Sequence, residues 1–191
     1  NKDSDITIPE RHLGLIPSEE KKVSSDLYDK LGQMVIETID TDRLQEIAGS
    51  PGDFPDYNKS IFINRDSSLE VTLAIARDSA FCFYYQDDID LFESMGADIK
   101  LFSPLADKSL PDGIDGIYIG GGFPELFAER LMKNDSMRSS IVEAYKQGAL
   151  IYGECGGMMY LLEKLIDCDG RSFKMSSVHN GTSKMEKRRQ G

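Results

Sequence analysis

The sequence predicts an α/β fold with a doubly wound, mostly parallel sheet from about residue 70 onward. Short apolar runs, typical of strands covered on both faces, alternate there with segments of helical spacing. A glycine-rich turn also joins one of these runs directly to a helix-forming segment. Strand–helix alternation at this spacing produces right-handed βαβ units and therefore a parallel sheet. A small helical segment is predicted to precede the sheet.

The residues before the sheet have a different pattern. The stretch 6–17 is predicted to be extended, and a helix is predicted from Ser18 onward. A second short helix is predicted to close with Gly49 just past its last turn. Residues 50–69 are rich in Pro, Gly, Asp and Ser without sustained periodicity, which is typical of an interdomain linker. We therefore divide the chain into residues 1–49, a linker 50–69 and a domain 70–191.

The domain 70–191 contains four apolar runs that predict strands and four segments that predict helices between and after them. The predicted strands are 71–76, 99–102, 116–119 and 149–152. The predicted helices centre on Ile89–Met95, Leu126–Leu131, Met137–Tyr145 and Met158–Lys164. Beyond Asp169, short strands are predicted at 173–175 and around Val178.

The turn Gly153-Glu154-Cys155-Gly156-Gly157 is the most specific chemical signal in the chain. A buried strand that turns sharply into a helix through such a motif is a nucleophile elbow, in which the central residue is strained and its neighbours must be small. The elbow exposes the Cys155 thiol at a helix N-terminus, where negative charge is stabilised. The N–H of Gly156 is then available to an oxyanion. The alternative is a buried cysteine in an ordinary glycine-rich turn.

A second glycine motif, Gly120-Gly121-Gly122, ends the third predicted strand. Reactive groups gather outside the carboxyl ends of parallel strands, so this loop and Cys155 are expected to face one another. Without Cβ atoms, its backbone N–H groups can approach a tetrahedral intermediate, which makes Gly122 the second candidate oxyanion donor. A phosphate-binding P-loop is disfavoured because no Gly-Lys-Ser/Thr follows. A purely structural turn is the remaining alternative.

Composition narrows the class of function. A net charge of −11 argues against nucleic acid as a partner. No apolar run approaches the roughly 20 residues of a membrane span, so no membrane association is expected. Three cysteines without framework spacing fit a reduced, cytoplasmic compartment. Cys82 and Cys168 have no partner at metal-ligand spacing, and no metal site is expected. Cys82 and Cys168 are read as small buried or loop residues, and the cluster Phe81, Phe83, Tyr84, Tyr85 as core.

Five motifs, in the same order and spacing, resemble the cobyrinic acid a,c-diamide synthase family over nearly the whole chain. They are Pro9–Leu15, Ala76–Tyr85, Phe102–Asp107, Gly121–Glu125 and Glu154–Gly157. The resemblance implies a flavodoxin-like, class I glutamine amidotransferase domain, with residues 1–49 as the end of a preceding α/β synthetase domain. These enzymes of cobalamin biosynthesis take nitrogen from L-glutamine to amidate the a and c carboxylates of a tetrapyrrole, cobyrinic acid. ATP and Mg²⁺ act in the synthetase half, and none is expected in this chain. A homodimer is left open.

By resemblance, Cys155 attacks the glutamine carboxamide, and Gly156 and Gly122 hold the oxyanion. The chain departs from the family pattern in its histidines. The family's general base is a His downstream of Gly191, whereas this sequence has only His12, in the synthetase segment, and His179, in what the family has as a loop. The synthetase P-loop is also missing. The sequence is therefore predicted to be an incomplete, weakly active fragment.

Three alternatives remain open at this point. The family's relatives that amidate nickel sirohydrochlorin, or that make cobyric acid, share the elbow and the architecture. A cysteine hydrolase or protease of the same sheet class is a second alternative, against which the segment Arg11–Leu15 argues. A third is a non-catalytic, amidotransferase-like binding module, since the family's His is not found in the sequence.

Overall fold

The computed structural model describes residues 10–11, 14–15, 25–50, 52 and 70–186. The chain divides into two compact units, residues 1–61 and 62–191, which are described separately. In the first unit the strands β1 (Glu10–Arg11) and β2 (Gly14–Leu15) pair antiparallel. The predicted helix start at Ser18 and nearly all of the predicted linker 50–69 lie outside the described residues. The division into residues 1–49, 50–69 and 70–191 therefore stays a prediction.

Two helices follow in the first unit, α1 (Ser25–Thr38) and α2 (Thr41–Gly49). Asp40 precedes α2, and its carboxylate accepts a hydrogen bond from the Arg43 N–H (2.9 Å), which satisfies one of the unpaired donors of the first turn. The prediction that Gly49 lies just past the helix is wrong. Gly49 is the last residue of α2, and Ser50 caps the helix with ordinary right-handed geometry.

The second unit alternates strands and helices in the predicted order. Its elements are β3 (Val71–Ala76), β4 (Phe81–Phe83), α3 (Gln86–Ser94), β5 (Ala97–Phe102), β6 (Gly116–Ile119), β7 (Gly121–Gly122), a 3₁₀ turn (Pro124–Phe127), α4 (Ala128–Lys133), α5 (Asp135–Lys146), β8 (Leu150–Gly153), α6 (Gly156–Leu161), β9 (Lys164–Ile166), β10 (Ser172–Lys174) and β11 (Thr182–Lys184).

The central sheet has the order β5-β3-β6-β8, and every pair in it is parallel. Counted along the chain, this is the order second, first, third, fourth, as in flavodoxin-like sheets. The order reverses between β3 and β6, so a crevice opens outside their carboxyl ends. This confirms the predicted parallel α/β architecture.

Helices cover both faces of the sheet. Alternate residues of a strand point to opposite faces, so apolar residues in succession give each face a core to be covered. Ala74 and Ala76 of β3 belong to a large core cluster shared with α4, α5 and α6. Ile75 between them belongs to a smaller cluster with Ile89 of α3 and Tyr118 of β6. The sheet is therefore doubly wound, as predicted.

Two smaller sheets complete the second unit. The strands β4 and β7 pair antiparallel, and β9 pairs antiparallel with β10 and parallel with β11. The helix predicted to reach Lys164 ends at Leu161, because Lys164 already belongs to β9. Val178 lies outside the strands, in a bend. The described helices include none that is long and apolar enough to cross a lipid bilayer.

Candidate active site

The turn between β8 and α6 has the conformation of a nucleophile elbow. Cys155 has φ 47° and ψ −111°, a backbone conformation that a residue with a Cβ atom rarely adopts. Hydrogen bonds hold the turn on both sides. The Glu154 N–H donates to Ile119 O (3.1 Å), and the Gly157 N–H donates to Glu154 O (2.8 Å). The thiol residue thus stands exposed at the carboxyl end of the sheet.

The glycines after Cys155 are required by close approach of neighbouring backbone. A Cβ atom added to Gly157 would overlap the carbonyl oxygen of Ile119 at the end of β6. One added to Gly156 would lie 2.8 Å from Pro124 Cδ. Helix α6 therefore packs directly against the exit of the neighbouring strand, which is why the elbow tolerates only the smallest residue there.

The Gly120–Gly122 loop lies beside the elbow, as the sequence predicts. A Cβ atom built on Gly121 would be 3.7 Å from Cys155 Cβ, and one built on Gly156 would be 3.2 Å from Gly122 N. The three residues assigned to the candidate site, Cys155, Gly156 and Gly122, are therefore brought together at neighbouring strand ends. Their spacing is compatible with one small tetrahedral group, and their chemical roles stay predictions.

A turn after β3 forms the wall behind Gly122. The Phe123 N–H donates to Ala80 O (3.0 Å), and a Cβ atom on Gly122 would overlap that same carbonyl oxygen. The turn is held by Asp78, whose carboxylate accepts hydrogen bonds from the Ala80 N–H (2.8 Å) and the Ser103 hydroxyl (2.8 Å). Asp78 thus connects the exits of β3 and β5 to the glycine loop, a role that its position in the sequence did not indicate.

Tyrosine hydroxyls support the site from the face of the sheet that α3 covers. The Tyr84 hydroxyl accepts a hydrogen bond from the Gly120 N–H (2.8 Å) and donates to Ala76 O. The Tyr118 hydroxyl donates to Glu154 Oε1 (2.8 Å). Burial raises the pKa of Tyr84 and of Tyr118 well above the usual range, and the Glu154 carboxylate adds to the effect on Tyr118. Both hydroxyls therefore stay protonated and able to donate.

The aromatic cluster predicted to be core is divided between interior and surface. Phe81 is fully buried and packs against Tyr160 with ring centroids 5.4 Å apart, whereas Tyr85 is 80% exposed. Phe83 is also largely exposed, so the prediction holds for Phe81 and is wrong for Phe83 and Tyr85. The pairing of β4 with β7 shifts its register between Phe81 and Phe83, so the two rings do not share one face as they would in a regular strand, and Tyr85 lies beyond the end of β4. A buried tyrosine hydroxyl usually finds a hydrogen-bond partner, and this rule could have indicated from the sequence that Tyr84 bonds the backbone near the site.

The other two cysteines lie away from the elbow. Cys82 is partly buried in β4, and Cys168 is exposed in the turn between β9 and β10, which agrees with their reading as small buried or loop residues. None of the three cysteines forms a disulfide. No group of three or more His, Cys, Asp or Glu side chains within the described ranges is placed to hold a metal ion.

His179 lies at the end of α6, where its N–H donates to Leu161 O (3.0 Å), whereas Cys155 precedes the start of that helix. Its ring packs against Tyr145 near the end of α5, with centroids 6.1 Å apart, and α5 leads into the start of β8. Cys155, by contrast, follows the end of β8. The placement does not favour His179 as the base of the thiol. His12, the other histidine of the sequence, lies outside the described residues.

Comparison with known proteins identifies the domain. Residues 72–191 match the family model described as CobB/CobQ-like glutamine amidotransferase domain. A crystal structure of a putative peptidase E from Listeria monocytogenes EGD-e aligns with a TM-score of 0.42 and 19% sequence identity, covering 54% of each chain.

Curated relatives carry the name cobyrinate a,c-diamide synthase. The one from Listeria monocytogenes serotype 4b (strain F2365) is 44% identical over 187 residues, which is 98% of this chain and 40% of that protein. Those from Caldanaerobacter subterraneus and Synechocystis sp. are 40% and 42% identical, over 99% and 90% of this chain and 41% and 35% of their own lengths. The predicted resemblance is confirmed, and the chain spans about two fifths of these relatives.

Proposed function

The chain belongs to the CobB/CobQ-like glutamine amidotransferase domain family, and we propose that its second unit hydrolyses glutamine at Cys155. The observation that carries this proposal is the strained backbone of Cys155 beside the Gly120–Gly122 loop. A strained, exposed thiol with backbone N–H groups at its side is the arrangement that acyl transfer requires.

In the proposed reaction, the Cys155 thiolate attacks the side-chain carboxamide carbon of glutamine. The carbonyl oxygen becomes an oxyanion, which the N–H groups of Gly156 and Gly122 stabilise. The tetrahedral intermediate collapses when the C–N bond breaks, and ammonia leaves with a proton from a general acid. The γ-glutamyl thioester that remains is hydrolysed by water to glutamate and free thiol. The family resemblance assigns the acid–base role to a histidine beyond residue 191.

For the complete protein, we propose amidation of the a and c carboxylates of cobyrinic acid, as the names of the curated relatives suggest, and we take the dependence on ATP from the family resemblance. ATP and Mg²⁺ would serve the synthetase half by converting a ring carboxylate into a group that ammonia can displace. The described residues of this chain hold no candidate ligand set for Mg²⁺. Their part is to release ammonia, which is nucleophilic only while unprotonated and so must reach the acceptor directly. The cytoplasmic location stays a prediction from cysteine usage.

The proposal is tested by labelling the full-length protein with diazo-oxo-norleucine, an electrophilic glutamine analogue. Mass spectrometry should find the label on Cys155 and not on Cys168, although both thiols are exposed. Cys155→Ala should abolish labelling and glutaminase activity, while Cys168→Ala should change neither. Equal labelling of the two thiols, or glutaminase activity that survives Cys155→Ala, would contradict the proposal and favour a non-catalytic binding module.

A further inference from the structure

The Tyr84 hydroxyl occupies an unusual place between two neighbouring strands of the sheet. Its oxygen accepts a hydrogen bond from the Gly120 N–H at 2.8 Å, and its proton is donated to Ala76 O. Ala76 is the last residue of β3, and Gly120 directly follows β6. A hydroxyl has one donor and two acceptor positions, so this one side chain can serve both backbone groups at once.

The strand register shows what the hydroxyl replaces. The last residues paired between β3 and β6 are Ile75 and Tyr118. One further step of a parallel ladder would join the Gly120 N–H directly to Ala76 O. The Tyr84 oxygen stands between these two groups instead. The two strands are thereby held apart at their carboxyl ends, where the strand order reverses and the crevice opens.

The tyrosine ring is itself held in place by packing. It makes an edge-to-face contact with Tyr118, with centroids 5.3 Å apart, and the Arg77 guanidinium lies 5.8 Å from its centroid. On its other side, a Cβ atom on Gly120 would lie only 2.5 Å from Tyr84 Cε1. The ring and the glycine loop are therefore fitted to one another, and the hydroxyl has little freedom to leave its position.

The loop that Tyr84 holds leads within two residues to the candidate oxyanion donor. Gly121 approaches Cys155, with an ideal Cβ position 3.7 Å from Cys155 Cβ, and Gly122 N lies beside Gly156. Donors of an oxyanion hole must be placed within a fraction of an ångström to be effective. A shift of Gly120 toward Ala76 would turn the following peptides away from the thiol.

We propose that Tyr84 is a positioning residue for glutamine hydrolysis, which keeps the Gly120–Gly122 loop beside Cys155 by replacing a ladder hydrogen bond between β3 and β6. This inference rests on the proposed function of Cys155. Tyr84 has no contact with the reacting atoms in this role and acts through the backbone that it holds. Replacing it by phenylalanine allows the Gly120 N–H to bond Ala76 O directly and closes the crevice by one ladder step.

The test compares Tyr84→Phe with wild type in the full-length protein, using steady-state glutaminase kinetics. We expect kcat to fall by about 10- to 100-fold, with the KM for glutamine changed less than about threefold, because transition-state stabilisation is lost and substrate binding is kept. Alkylation of Cys155 by iodoacetamide needs no oxyanion and should proceed at the wild-type rate. Tyr145→Phe, which removes a hydroxyl from the far end of α5, is the matched control and should leave all three values unchanged.

A pair of non-natural residues at position 84 separates hydrogen bonding from packing. 4-Aminophenylalanine keeps a donor and an acceptor at the ring tip and should recover most of the lost kcat. 4-Methylphenylalanine fills the space without either and should behave like Tyr84→Phe. If Tyr84→Phe fails to fold, the comparison of these two variants still tests whether hydrogen bonding at position 84 is needed for activity.

The inference about Tyr84 can fail while glutamine hydrolysis at Cys155 still holds, and the experiments distinguish the two cases. Wild-type kcat in Tyr84→Phe, or equal activities of the 4-amino and 4-methyl variants, would show that the hydroxyl does not position the loop. A parallel loss of Cys155 alkylation would show general damage to the domain and would likewise overturn it. Absence of glutaminase activity in the wild-type full-length protein would instead refute the proposed function, and this inference with it.

Discussion

Backbone strain at Cys155 leads to a prediction about stability as well as activity. The φ of 47° is positive, and the ψ of −111° lies far from the left-handed helical region, which has ψ of about +30° to +60°. Glycine adopts this conformation readily because it has no Cβ atom. We therefore expect Cys155→Gly to make the chain more stable while removing the thiol that the proposed reaction needs.

The expected gain follows from two opposing contributions. A residue held in a sparsely populated backbone region costs about 1–3 kcal/mol, which the substitution releases. Glycine costs about 0.5–1 kcal/mol through the greater conformational entropy of the unfolded chain. The Cys155 side chain is exposed, so its removal loses little buried surface. The free energy of unfolding should rise by about 1 kcal/mol, with about 0 and 2.5 kcal/mol as the extremes of the two ranges, and a rise of about 1 kcal/mol raises Tm by about 2–4 °C in a chain of this size.

The measurement is urea unfolding of the 191-residue chain followed by far-ultraviolet circular dichroism, since the sequence has no tryptophan to report by fluorescence. Cys155→Ala keeps a Cβ atom and should retain the strain, with stability within about 0.5 kcal/mol of wild type. Cys168→Gly is the matched control at an exposed cysteine whose φ is not positive, and it should destabilise by about 0.5–1 kcal/mol. If Cys155→Gly were less stable than Cys155→Ala by the full cost of about 0.5–1 kcal/mol that glycine carries at an unstrained site, the elbow would store no strain and this reasoning would be refuted.

Two further predictions concern packing and pH. Gly157→Ala should destabilise the second unit by at least about 2 kcal/mol and abolish diazo-oxo-norleucine labelling, because its methyl group would overlap the Ile119 carbonyl oxygen; labelling at the wild-type rate would contradict this. The turn between β9 and β10 should lose stability in acid, when the Asp167 carboxylate becomes protonated. Burial alone would raise its pKa, but hydrogen bonds from Arg171 and the Asp169 backbone outweigh it and hold the pKa below the usual range. A lowered folded-state pKa gives stability above the unfolded value of about 3.9 that is lost as pH falls through the folded value. The protection factors of the turn's amides, which are exchange rates corrected for the intrinsic effect of pH, should therefore fall below about pH 4 in wild type and stay constant with pH in Asp167→Asn; a fall that persists in the variant would remove Asp167 as its source.

The elbow was predictable because its requirements are local. An apolar run, a small-residue turn and a helix-forming run must be consecutive, and Gly153–Gly157 displays them in order. The parallel sheet was predictable for a similar reason, since strand–helix alternation leaves few ways to connect strands. The strand order then placed Gly122 and Cys155 at neighbouring exits, as expected.

Errors arose where a segment pairs with residues distant in sequence. The strand β4 is three residues long and exists because it pairs with Gly121 and Gly122, about 40 positions later. Likewise, α6 ends at Leu161 because the next residues join the small sheet of β9, β10 and β11. The local propensity of a segment does not depend on residues distant in sequence. The residues of β4 were therefore predicted to be a core cluster, and α6 was predicted to be a longer helix.

By itself, then, the sequence determined the nucleophile candidate, the glycine loop and the succession of strands and helices along the chain, because each depends on neighbouring residues or on chain connectivity. The tertiary structure alone decided how the loop is held beside the thiol. The Tyr84 hydroxyl reaches Ala76 and Gly120 across two strands, and Asp78 links the exits of β3 and β5. These contacts join residues 8 to 36 positions apart, and their geometry exists only once the sheet has formed.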